Sequence, residues 1–289
     1  MAISQMPSLD YWLDKNPVFR LGPPNLVHVT RVAVESLISR IQGKDANFDP
    51  KKPDYMHYFI ESKKTHPEMV DDSTVMGYMM VNLIAGADTT AVTIRSIFYL
   101  CLKQLAVYRK LEAEILSAGF DPEKPAPFGA ARQLPYLDAV VREAMRIHPV
   151  VAATMERYVP ESGLRLPDGS FVPGGTAIGM NAYIVGRNKT IFGEDAEDFR
   201  PERWLQATVE DSETYRLRLQ KMNAADLTFG GGSRVCLGRN LALCEVYKVV
   251  ATLVLRYEIE LADPAREWTI EGCWFTRQRG IITKMKLRK

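Results

Sequence analysis

No proline interrupts the chain between Pro67 and Pro122. Proline breaks helix interiors, so this is the one long window in which a helix can run without a stop. Asp71 and Asp72 supply an N-terminal cap and negative charge for the helix dipole. From Ser73 to Leu105 the apolar pattern stays helical. That predicts one helix of about 33 residues, roughly 50 Å long at 1.5 Å per residue. Most helices are about a third of that length. This one is apolar on most sides, the pattern of a helix running through the middle of a protein. Its centre reads Ala85-Gly86-Ala87-Asp88-Thr89-Thr90. Gly, Asp and Thr are poor residues for a buried helix centre, and a local rule broken there marks a functional position.

The rest of the pattern is mainly helical with a small β portion. Residues 1–53 read as an entry that is irregular in its first 27 residues and helical over Val29–Gln42, followed by a charged loop bounded by prolines. Tyr55–Lys64 is predicted as a short helix. Val107–Ser117 continues helically beyond the long helix, and Pro135 opens another over Tyr136–Ile147, which Pro149 ends. From Arg157 to Gly186 turn pairs alternate with short β-like runs. Leu237–Leu255 reads as a second largely apolar helix, and Ile259–Lys289 returns to strand-like runs. One domain over 1–289 accommodates all of this.

Composition excludes several classes. Lys+Arg number 37 against 35 Asp+Glu, a net charge of +2 that calls for no nucleic acid. Cys101, Cys236, Cys244 and Cys273 are far apart, which argues against a disulfide scaffold or zinc ribbon. Met1–Leu13 has neither the basic nor the apolar region of a signal peptide. The most apolar stretch, Val75–Ala87, contains Asn82 and is too short to span a bilayer. The basic end, Lys284, Lys286, Arg288 and Lys289, reads as a solvated tail.

The strongest chemical signal is Phe229-Gly230-Gly231-Gly232-Ser233-Arg234-Val235-Cys236-Leu237-Gly238. One cysteine follows a glycine-rich loop and opens a helix. The helix N-terminus favours negative charge, so Cys236 is expected as a thiolate, able to act as nucleophile or metal ligand. The alternative is a buried structural cysteine. The glycines leave room for a large flat group to approach the backbone. Arg234 offers a positive charge for a carboxylate on that group. Phe229 can shield the sulfur. In Glu143-Ala144-Met145-Arg146 two opposite charges stand three apart on a helix and face each other. Phe199-Arg200-Pro201-Glu202-Arg203-Trp204 follows downstream.

Together these segments resemble the cytochrome P-450 family, over nearly the whole chain from about Asp54. The decapeptide 229–238 matches its haem-binding loop, Phe-x-x-Gly-x-Arg-x-Cys-x-Gly, at every fixed position. Residues 85–90 match its Ala-Gly-x-Asp-Thr-Thr oxygen-activation segment. The wording of the Arg203 segment looks like the eukaryotic, fungal, microsomal type. The resemblance implies haem b (iron protoporphyrin IX) with Cys236 as iron ligand, and Phe229, Arg234, Gly238 and Arg157 as cofactor-binding residues. It implies that Asp88 and Thr89 relay protons to dioxygen, with Thr89 bonding back to the Ala85 carbonyl. It implies a buried structural triad of Glu143, Arg146 and Arg203.

By resemblance the activity is monooxygenation: one oxygen atom of O2 enters an apolar small molecule, in secondary or xenobiotic metabolism. Electrons come from NADPH through a cytochrome reductase, at the endoplasmic reticulum membrane. Two other readings stay open, a non-catalytic haem-binding fragment and a haem-thiolate isomerase or dehydratase; intact Asp88-Thr89 favours oxygen activation over the latter. Family members place the long helix past their middle, so roughly 200 N-terminal residues, with the membrane anchor and much of the substrate pocket, have no counterpart here, judged from ordinary helix lengths. The remaining candidate pocket linings are the long helix, Val150–Thr154 and the hairpin near Trp274–Phe275.

Overall fold

Asp54 shows how local chemistry starts this fold. Its carboxylate accepts from the His57 amide at 2.9 Å, capping helix α2 (Tyr55–Thr65), and takes both terminal nitrogens of Arg40 at 2.7 and 3.0 Å. Arg40 belongs to α1 (Val27–Ile41), and its guanidinium lies 3.9 Å over the Phe48 ring. The Arg40 hydrogen bonds hold the Asp54 carboxyl down to about 2. The computed structural model that shows this describes residues 27–272 and 275–288. The irregular entry expected over residues 1–26, Cys273, Trp274 and Lys289 lie outside the described residues. The described residues divide into two compact units, one ending at Asp88 and the other beginning at Thr89.

In the first unit α1 and α2 meet the start of α3 (Asp72–Lys103) over a small core of Leu37, Val70 and Val75, backed by Met56, Phe59 and Ile60. The long helix thus forms at its predicted position, but the expected enclosure along its whole length does not hold. Val81 is 63% exposed, and Ala85 through Asp88 are exposed as well. An all-round apolar pattern records that a helix suits burial, and it does not record what covers it. No single helix among the described residues is long and apolar enough to cross a membrane.

The second unit begins with the buried half of α3. Val92, Ile97, Phe98, Cys101 and Leu102 face the core, and Thr93 and Ser96 return their hydroxyls to the carbonyls one turn back, at 3.2 and 2.8 Å. At Gln104 the chain turns through 114° into α4 (Leu105–Ser117), so the two helices are not one run. After a short turn, α5 (Phe128–Ala131), comes α6 (Pro135–Ile147). Proline suits its first turn, and Glu114 of α4 caps it by accepting from the Tyr136 and Leu137 amides, both at 2.8 Å. Leu111, Ile115, Leu137, Val140 and Val141 then pack with Val250 and Val254 of α10 (Arg239–Arg256), all at most 1% exposed. The long stretch of polar sequence between holds α7 (Ala182–Val185), α8 (Lys189–Phe192) and α9 (Ser212–Ala224).

Among the described residues, four two-stranded antiparallel sheets make up the β portion: β1 (Thr154–Tyr158) with β4 (Ala177–Asn181), β2 (Leu164–Arg165) with β3 (Phe171–Val172), β5 (Tyr257–Leu261) with β8 (Thr283–Leu287), and β6 (Thr269–Glu271) with β7 (Arg277–Arg279). The hairpin over 159–176 requires Gly174, where an added Cβ would stand 2.7 Å from the Glu161 carbonyl oxygen. The basic end is not a free tail. Lys284 and Lys286 sit on β8 opposite Glu260 and Glu258, each at 3.7 Å, and Arg288 pairs with Glu112 and donates to the Val254 carbonyl at 3.0 Å. Strand pairing with β5 fixes it, because the acidic residues alternate in register.

Candidate functional site

The glycine-rich segment folds as a loop that its own backbone closes. The Gly230 amide donates to Leu227 O at 2.9 Å and the Cys236 amide to Phe229 O at 2.8 Å. Gly230 and Gly232 take φ of 71° and 60°, a region that disfavours side chains, so these glycines serve the turn itself. An added Cβ at Gly231 or Gly232 would meet nothing within 4 Å, which leaves the face of the loop open. A single 3-10 turn over Gly232–Arg234 then delivers Cys236, and α10 begins at Arg239, two residues later than the pattern predicts. Gly238 caps that helix, and its ideal Cβ lies 3.8 Å from Cys236 Sγ, so the sulfur rests beside the helix entrance.

Cys236 is exposed, so it is not a buried structural thiol. Leu237 is 100% exposed and Val235 40%, two apolar side chains flanking the sulfur on an open surface. Phe229 is partly buried against the main core. Among the described residues, Arg234 has no hydrogen bond or ion pair, and the Arg157 guanidinium donates to the neighbouring Glu156 carbonyl, at 2.6 Å, with no acidic partner. Met155 Sδ lies 3.8 Å from the ideal Cβ position of Gly230. Arg157 stands two residues further along β1, on the same strand face as Met155. A thiol, two cations without acidic partners, exposed apolar flanks and an open glycine face form a donor set that fits an iron porphyrin with anionic carboxylates. No cluster of three or more His, Cys, Asp or Glu able to hold a metal ion occurs among the described residues.

Glu143, Arg146 and Arg203 are brought together with at most 4% of any of their side chains exposed. Arg146 grips Glu143 with Nη2 and Nε at 2.7 and 2.9 Å, and Arg203 Nε reaches the same carboxylate at 3.2 Å. The set is larger than the sequence indicates. Trp204 Nε1 donates to Glu143 Oε2 at 2.8 Å, and the Arg200 amide donates to Oε1 at 3.0 Å. Asp195 Oδ1 accepts from Arg203 at 2.7 Å, and Arg146 also donates to the carbonyls of Gly186, Ala196 and Asp198. Two buried cations therefore face two carboxylates, and each spare donor ends on a carbonyl, as buried charge requires. Asp195 carries no motif of its own, and Trp204 closes the 199–204 segment, which by itself gives it no role. The available signal for Trp204 was that a buried indole N–H normally finds an acceptor.

Asp88 is exposed and Thr89 half-buried; the Thr89 carbonyl accepts the Thr93 hydroxyl at 3.2 Å. Val150 and Phe275, from two of the predicted pocket linings, adjoin each other: the Thr276 amide donates to Val150 O at 2.9 Å, and Val151 bridges Phe275.

A family model described as cytochrome P-450 matches residues 10–284. Cytochrome P-450 monooxygenase cfoH of Aspergillus candidus is 52% identical over 289 residues, covering 100% of this chain and 53% of that protein. Cytochrome P-450 monooxygenase vrtE of Penicillium aethiopicum is 38% identical over 296 residues, covering 98% and 56%. Monooxygenase cicH of Emericella nidulans is 36% identical, covering 99% and 56%. The chain spans about half the length of the curated relatives it matches.

Proposed function

The chain belongs to the cytochrome P-450 family, and from that premise we propose that the Cys236 sulfur would hold a haem iron in the monooxygenation of an apolar small molecule. The single observation that carries this reading is the exposed Cys236 at the entrance of α10, set in an open glycine loop beside two cations without acidic partners. When bound, the haem supplies the redox chemistry that places one atom of O2 in a C–H or C=C bond and releases the other as water. Arg234 and Arg157 would hold its carboxylates by charge-assisted hydrogen bonds. With the group bound, Val235, Leu237 and Phe229 would cover the sulfur and so preserve its donor strength. The Glu143 network holds the segment that ends in Trp204 rigid. Asp88 and Thr89 hold and pass protons; that assignment rests on the match of residues 85–90 to the family segment. Electrons come from NADPH through a separate reductase, and the setting is the endoplasmic reticulum membrane, both by family.

The test uses this chain as it stands. It is loaded with haem, reduced and exposed to carbon monoxide. A thiolate-type absorbance that Cys236→Ser abolishes, together with reductase-dependent oxygen insertion, supports the reading. A thiolate-type spectrum that survives Cys236→Ser refutes the ligand assignment. Failure to form any stable haem complex refutes catalysis by this polypeptide.

A further inference from the structure

The loop that carries Cys236 is held only at its roots. Among the described residues, no side chain of residues 230–238 makes a hydrogen bond or ion pair, and residues 231–240 are all exposed. Its downstream root is α10, packed in the core. Its upstream root is a ladder of local bonds running back into α9. Phe229 O takes the Cys236 amide, Leu227 O takes the Gly230 amide, Asp226 Oδ1 takes the Thr228 amide at 2.9 Å, and Asn223 O takes the Asp226 amide at 3.3 Å. Asn223 ties that ladder to α6 by a hydrogen bond from Arg142 to its Oδ1, while Ala225 packs against the Trp204 cluster and Phe229 against the main core. The same guanidinium lies 4.0 Å over the Trp204 ring, and Trp204 in turn donates to Glu143. A second tie runs in parallel: the Tyr215 hydroxyl of α9 donates to the Trp204 carbonyl at 2.9 Å.

We propose that Arg142, Trp204 and Asn223 form a clamp that fixes the upstream root of the Cys236 loop to the buried Glu143 network. Trp204 and Arg142 are positioning residues: they act through Asn223 and the ladder, whose local hydrogen bonds span the thirteen residues from Asn223 to Cys236. Cation–π stacking holds the guanidinium plane still, so the donor aimed at Asn223 is pre-oriented. The consequence for haem rests on Cys236 being the iron ligand. The mechanical consequence does not.

The experiment therefore has two readouts. Hydrogen–deuterium exchange is followed on the protein without haem, in Asn223→Ala, Arg142→Met and Asn223→Asp. Losing one charge-assisted bond predicts about tenfold faster exchange at the Cys236 and Gly230 amides in the first two variants. Exchange in α6 and in the second half of α10 stays unchanged, and Asn223→Asp, which keeps the acceptor, restores the slow rate. Unchanged loop exchange in Asn223→Ala overturns the clamp, as does an equal acceleration throughout the unit. After haem loading, the same two variants shift the ferrous carbon monoxide spectrum from thiolate-type towards thiol-type, and Asn223→Asp does not. If exchange responds but the unsubstituted protein gives no thiolate-type spectrum, the clamp stands and the ligand assignment falls.

Discussion

Replacing Glu143 by Gln tests the buried network at its centre. The substitution conserves shape and removes one charge from a site where Glu143 is 0% exposed and the Arg146 and Arg203 side chains 4% and 2%. Five donors converge on the two carboxylate oxygens, from Arg146 twice, Arg203, Trp204 and the Arg200 amide. A glutamine keeps one acceptor oxygen and turns an NH2 group towards donors, so at least two of the five lose their acceptor. Among the described residues, Asp195 then still pairs with Arg203, while Arg146 is left with carbonyl acceptors and no carboxylate. Removing one partner of a buried ion pair costs about 3–5 kcal/mol. Against a total stability of about 5–15 kcal/mol that is at least about a fifth of the whole, and about two-fifths at the middle of both ranges. At about 2–4 °C per kcal/mol for a unit of this size, the melting midpoint drops by roughly 10 °C. Thermal unfolding followed by far-ultraviolet circular dichroism reads it. Glu213→Gln is the control: it breaks the exposed Glu213–Arg216 pair on α9 and should leave the midpoint in place. If Glu143→Gln shifts the midpoint no more than this control does, the network is not what holds Trp204 and Arg203 in position.

Three further outcomes follow from the geometry. His148 is 5% exposed, tilted against Trp268 at 4.8 Å, and burial, then the Arg187 charge, lower it to about 4. The unfolded chain takes up that proton near pH 6.5 and the folded chain resists it, so stability falls as pH drops from about 6.5 to 4, by on the order of 3 kcal/mol. Urea titrations across that window should show the slope in the unsubstituted protein and a shallower one in His148→Phe; equal slopes refute the assignment. In the haem-free protein an alkylating reagent should modify Cys236 within the time that leaves Cys101 untouched, since Cys101 is 0% exposed and burial pushes its thiol up. Mass spectrometry locates the label, and early labelling of Cys101 contradicts the core described above. Gly174→Ala should disrupt the 159–176 hairpin, because its Cβ would press on the backbone of Pro160 and Glu161 at 2.7–2.8 Å; native-like exchange in that hairpin refutes this.

What the sequence discloses and what it conceals divide along one physical line. Pro135, the Ser73–Leu105 window and the Cys236 decapeptide announce themselves because each is a local statement: a fixed φ, an unbroken period, a glycine where φ is positive. Glu143 and Arg146 are legible for the same reason, three residues apart on one helix face. Trp204, Asp195 and the carbonyls that complete their set stand 40–61 positions away, and only folding brings them there. Helix α9 escapes detection for a different reason. Ser212–Ala224 is polar on nearly every side, so no apolar stripe marks it, although Asp211 at its cap and the Glu213–Arg216 pair were local signals in its favour. The long helix errs in the opposite direction, since its apolar stretch through Val81 proved exposed. A residue's own conformational needs are written in its neighbours along the chain, whereas the identity of what covers it is not. The clamp at Arg142 belongs to the second kind. Nothing in Arg142, Trp204 or Asn223 taken singly points to the sulfur. Their effect on it exists only because α6, the Pro201–Trp204 turn and α9 meet at one guanidinium.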